Sequence, residues 1–148
     1  MSSLWQPDAR SRLLKRLAEL RPDAPRRWGR MTFPQMLAHV NDALRMAIGE
    51  LATTPRPGPM RYPPLKQLII YVLPIPKGVP TARELLGRID RAQWEQEAAI
   101  FPSLLERFAS RPAGSSLPAH PAFGALSRRA WGVLAYRHVD HHFTQFGV

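Results

Sequence analysis

The sequence predicts an all-α domain, an antiparallel four-helix bundle with long connections. Three observations carry this. Four segments repeat apolar residues at helical spacing. Two of them open on hydroxyl residues suited to capping a helix. No group of alternating apolar and polar segments reads as a sheet. A chain of 148 residues can bury a core of its own, so a single domain over residues 1–148 is expected.

The first helix is expected over residues 8–20. Leu13, Leu14, Leu17 and Leu20 form one stripe, with arginine and lysine opposite. Arg21-Pro-Asp-Ala-Pro then breaks the pattern. The second helix is expected over residues 33–49. Thr32 is its N-cap, Gln35 completes a capping box, and Pro34 sits in the first turn, where its missing N–H has no helical partner. Met36, Leu37, Val40, Leu44 and Ile48 form much of its buried face, with His39 adjacent.

Residues 53–80 are rich in proline and read as an ordered connection packed on the bundle. Its apolar centre, Leu65 to Leu73, is too short for periodicity to separate a short helix from an extended segment. The third helix is expected over residues 90–109, capped by Asp90 and kinked or broken at Pro102. The fourth starts from the cap Ser127 and runs to about Phe146, where Gly147 ends it. Trp28-Gly-Arg-Met-Thr32 and Phe123-Gly-Ala-Leu-Ser127 share one pattern: aromatic, glycine, any residue, apolar, hydroxyl cap. Each leads into a helix that carries histidine.

Composition removes several chemistries. There is no cysteine, so disulfides and thiolate ligands are excluded and any thiol nucleophile must come from outside the chain. No N-terminal stretch has the layout of a signal peptide, and no apolar run is long enough to span a bilayer. A cytoplasmic protein without a membrane partner is expected. The net charge of +10 and a pI near 11.3 raise nucleic-acid binding. The arginines are scattered, however, with no long basic run and no reading helix, so a solvated basic surface is the preferred reading.

Three of the five histidines lie in the last eleven residues. His138 and His142 are four apart, on one helical face and one turn from each other, which lets two imidazoles reach a single metal ion. His138 with His141 is the competing pair. The His138/His142 pair is preferred because it continues the stripe of Leu134 into the core. His39, on another amphipathic segment, is a candidate third ligand.

Met-Leu-Ala-His39-Val-Asn-Asp-Ala-Leu in the second helix and His138-x-x-x-His142-x-x-Gln145 in the last resemble the DinB/YfiT-like superfamily. Its short members also resemble this chain at Trp28-Gly-Arg-Met-Thr32, His120-Pro-Ala-Phe-Gly124 and Tyr136-Arg-His-Val-Asp-His-His142. The resemblance runs from about Trp28 to the end and is weakest over residues 50–90. It implies a four-helix bundle with a divalent metal, zinc or nickel, held by His39, His138 and His142. It also implies a metal-activated nucleophile, either water or an external low-molecular-weight thiol. Gln145 matches the last residue of the superfamily's frequent His-Arg-Gly-Gln ending. The arginine and glycine are absent here, so no role that depends on them is carried over.

The remaining candidates surround that site. Each ligand ring needs an acceptor for its second N–H. Asp42, three after His39, is one, set against the plainer reading of a solvated surface acid; Asp140 fits less well. Glu97 is a candidate base or fourth ligand. His120, ahead of a proline, is a turn residue or a lid. His141 and Gln145 are second-sphere or substrate groups. Because each imidazole must lose its proton to bind, metal binding is expected to weaken as pH falls through roughly 6.5. The expected function is a metal-dependent enzyme acting on a small molecule, as a hydrolase or thiol-dependent transferase, with homodimerisation admitted. The alternatives are a non-catalytic bundle that binds a ligand or partner and, less favoured, a nucleic-acid-associated protein.

Overall fold

A computed structural model describes residues 1–77, 81, 83–86 and 92–148. Among these residues the protein is all-helical, with α1 Pro7–Glu19, α2 Phe33–Ile48, α3 Leu65–Tyr71, α4 Trp94–Ala109 and α5 Arg128–Gln145. Short 3-10 turns lie at Pro59–Arg61 and Arg83–Leu86. A lone antiparallel bridge joins His120 to Gly124.

The helix boundaries follow local chemistry. α2 begins in the expected capping box: Thr32 Oγ1 accepts from the Gln35 N–H, and Gln35 Oε1 accepts from the Thr32 N–H at 2.9 Å. Gly49, at φ 86°, ends it. Ser127 caps α5 by accepting from the Ala130 N–H at 3.1 Å. α4 starts at Trp94 after Gln93, and Asp90, the expected cap, lies outside the described residues. α4 also runs through Pro102 without a break. A proline there costs about 3 kcal/mol. Phe101, Leu104, Leu105 and Phe108 are fully buried around it, and each contributes about 1.5–3 kcal/mol. Packing therefore outweighs the breaker.

α2 lies at the centre. It packs most extensively on α4 and then on α5, while α1 rests against α5 and α4. The main core joins Leu13 of α1, Met36, Leu37, Val40 and Leu44 of α2, the α4 residues above, and Trp131, Val139 and Phe143 of α5. The N-terminal segment crosses α5 where Gly132 has no side chain. A Cβ there would lie 2.2 Å from the Trp5 ring, so bare backbone is needed for the approach. Arg16 ties α1 to the end of α5 through Asp140 at 2.5 Å, Thr144 at 3.0 Å and the Val148 carbonyl at 2.7 Å.

The apolar centre of the long connection is the helix α3, which settles what periodicity left open. Ile69 and Ile70 bury against Phe123, Ala130, Val133 and Leu134 in a second apolar cluster. Arg137 of α5 donates to the carbonyls of Ile69 at 2.7 Å, Ile70 at 2.5 Å and Leu73. A cation at the C-terminal end of a helix satisfies carbonyls that lack helical partners and meets the negative end of its dipole. No helix among the described residues is long and apolar enough to cross a membrane.

Candidate metal centre

α2 contributes His39, and α5 contributes His138 and His142 one turn apart. The structure brings these three rings together. His39 Nε2 lies 3.0 Å from His138 Nε2, and one potential ligand nitrogen from each ring lies within 4.8 Å of the others. His39 and His142 are buried. Two nitrogens about 3 Å apart can share an ion at the usual 2.0–2.1 Å bond length. The cluster is compatible with a metal site.

The second sphere is built from backbone and one amide. Gln145 Nε2 donates to the Trp28 carbonyl at 2.7 Å. That fixes the amide, so Oε1 faces His142 Nδ1 at 2.9 Å. Nδ1 must then carry the proton, and Nε2 holds the only lone pair of the ring. Gly29 stands beside this contact at φ 80°, and a Cβ on it would lie 2.5 Å from Gln145 Nε2. The Trp28-Gly29 turn thus serves the histidines, which sequence reasoning missed. Its signal was the aromatic–glycine echo, read only as an entry to a helix.

Two acidic candidates fall elsewhere. Asp42 is neither solvated nor bonded to the His39 ring: it is buried and paired with Arg45 at 2.7 Å, and His39 Nδ1 has no hydrogen-bond partner among the described residues. Glu97 is buried against the other side of α2. Its Oε2 accepts from Asn41 Nδ2 at 2.8 Å. Asn41 follows His39 by two residues, about 200° around the helix, so Glu97 faces away from the histidines. Asp140 is engaged by Arg16.

His141 stands beside the trio, its ring centre 5.1 Å from that of His142 and 5.4 Å from that of Trp28. Burial, reinforced by His142 and His141, holds His39 down to about 3, and burial holds His142 down to about 4 against the opposing hydrogen bond to Gln145, with His141 adding to the fall. Burial and the same neighbours also put His138 well below the ordinary value. The rings are neutral at pH 7, the form a metal requires.

The trio opens on a cavity of about 660 Å³. Its walls are mainly apolar, among them Met31, Leu44, Met60, Ile69, Phe123 and Leu134. His120, His141, Arg30 and Arg56 are its other basic lining residues, and no carboxylate is among the lining residues described.

A helical protein with a histidine trio, two of its rings buried, on the wall of an apolar cavity is the class that fold and site define. The chain belongs to the family described as protein of unknown function, DUF1569, whose model matches residues 8–147. No curated protein and no solved structure matches it.

Proposed function

We propose that the protein is a DinB/YfiT-like four-helix-bundle metalloprotein. In this reading His39, His138 and His142 hold one divalent cation, zinc or nickel, and the cavity receives a small-molecule substrate. The carrying observation is the convergence of three neutral imidazoles beside a cavity, with Gln145 selecting the ligating nitrogen of His142. A divalent ion held by three neutral ligands keeps its charge and an open position, and so supplies Lewis acidity or an activated water or thiol. The chain contributes neutral ligands, an apolar wall and histidine donors. It contributes no thiol, because it has no cysteine. The reaction is hydrolysis or transfer to an external low-molecular-weight thiol.

One observation favours a second reading, a ligand-binding module without turnover. The described cavity lining has no carboxylate to act as a general base, since Glu97 is engaged on the far side of α2.

The test begins with metal analysis of untagged protein, expected to give one divalent ion per chain and none in His39→Ala. Loaded protein is then screened against small esters, amides and electrophiles, with and without thiol. Turnover lost in His39→Ala supports the enzyme. Stabilisation by ligands without turnover supports the binding module. Metal-free wild type after loading with zinc or nickel refutes the metal site.

A further inference from the structure

His120 is a turn residue whose ring is fixed by its own turn. Its Nδ1 accepts from two backbone amides, Ala122 N–H at 3.1 Å and Phe123 N–H at 3.2 Å. An acceptor at Nδ1 places the proton of the neutral ring on Nε2. The His120–Gly124 bridge, with backbone bonds of 2.9 and 2.8 Å, fixes the turn. The ring packs against those of Phe123 and Trp131, with centres 4.9 and 5.5 Å away. Trp131 is itself anchored through its indole N–H to the Pro118 carbonyl at 3.0 Å.

The opposite edge of the ring points away from the turn. Among the described residues both hydrogen bonds of the ring are made at Nδ1, which leaves Nε2 outside them, and His120 lines the cavity that the histidine trio also lines. A fixed N–H donor with no acceptor among the described residues, on an apolar wall, is a recognition group. Burial and the nearby Lys66 hold its pKa down to about 4. At pH 7 it donates a hydrogen bond and carries no charge.

We propose that His120 is a ligand-binding residue whose Nε2–H donates to an oxygen of an apolar carboxylate bound in the cavity. The wall residues select the apolar body. The head group follows from the rest of the lining: Arg30 is cationic, Arg56 is cationic and also acts on Glu84, and no described lining residue is an anion that would repel a carboxylate. The assignment names the substrate class for the site proposed above. It rests on that reading only for the fate of the carboxylate, since the donor and the walls belong to the protein without metal.

The experiment uses octanoate as the probe, on the full chain, both metal-loaded and chelator-treated. Long-range proton–nitrogen spectra of the imidazoles should show His120 in the Nε2–H form at pH 7, with its Nε2 resonance shifting on octanoate addition. His120→Asn places a side-chain oxygen where Nδ1 was, keeping the acceptor for the two amides while deleting the donor. This variant should melt close to the wild type yet bind octanoate about tenfold more weakly or worse. His120→Phe should lose both stability and binding. An Nδ1–H tautomer, undiminished octanoate binding in His120→Asn, or no octanoate binding by the wild type would each overturn the proposal. Metal content measured on the same samples separates the two readings. His120→Asn should retain the metal, and octanoate binding by chelator-treated protein would stand even if the metal site failed.

Discussion

Gln145 Oε1 accepts the Nδ1 hydrogen of His142 at 2.9 Å, and this contact decides which nitrogen of the ring remains free to ligate. The amide is held in that orientation by its own donation to the Trp28 carbonyl. A backbone group in the loop before α2 thereby orients a side chain on α5.

Removing that support should weaken metal binding without unfolding the protein. Gln145→Leu loses the acceptor for His142, and a lost second-sphere partner typically costs 10–100-fold in metal affinity. Gly29→Ala should act through the same contact, because its Cβ would lie 2.5 Å from Gln145 Nε2. Competition against a chelator measures both. Wild-type affinity in both variants would show that the amide does not orient the ligand.

His141 and His142 should separate cleanly. His142→Ala removes a member of the trio and should abolish stoichiometric binding. His141→Ala should reduce it far less, because His141 is outside the cluster of converging nitrogens. The reverse pattern would make His141 the ligand.

Acid should destabilise the metal-free protein in a defined window. His39 is depressed to about 3, and His142 and His120 to about 4, from an ordinary value of 6.5. Above pH 6.5 neither folded nor unfolded chain protonates these rings, and the stability they leave is complete. Below it the unfolded chain binds protons that the folded chain refuses, so stability falls until the folded pKa values are reached. The slope approaches about 1.4 kcal/mol per pH unit for each such ring. Melting temperatures from pH 7.5 to 4.5 should decline steadily below 6.5, and a flat profile would contradict buried neutral imidazoles. These depressed values also revise the expectation that metal leaves near pH 6.5. Burial shifts proton competition on the folded protein below the ordinary imidazole range, so metal uptake should fall off at a pH below 6.5 while the fold holds.

Glu97→Ala should cost stability and spare the metal. It removes the carboxylate that accepts one Asn41 Nδ2 hydrogen while the backbone carbonyl of the same position keeps the other, and a buried donor hydrogen left without its acceptor costs about 1–3 kcal/mol. Denaturant unfolding reads the first effect and metal analysis the second. Loss of metal with the fold intact would restore Glu97 to the site.

Arg137→Met should loosen the long connection. The guanidinium holds the α3 carbonyls of Ile69 and Ile70. Limited proteolysis should cut around residues 65–73 faster in the variant than in the wild type, with α1, α2, α4 and α5 still protected. Equal cleavage rates would mean that apolar packing alone holds α3.

The sequence by itself determined the elements whose signals are local. The Thr32 capping box, the Ser127 cap and Gly147 beyond α5 are decided within a few residues, and the four amphipathic stripes mark the long helices. The spacing of His138 and His142 likewise places two rings on one face before any fold is known. Tertiary structure decided what depends on partners distant in the chain. Pro102 stays inside α4 because the core around Phe101 and Leu105 outweighs a lost hydrogen bond. Glu97 leaves the site because helix rotation presents Asn41, not His39, to α4. Gln145 joins the site because Trp28, far away in sequence, offers a carbonyl. His120 gains a defined tautomer from the fold of its own turn, but its place on the cavity wall comes from the packing of Trp131 and α5. Caps and stripes are properties of a helix and its nearest neighbours; the direction a polar side chain faces is set by whichever surface packs against it.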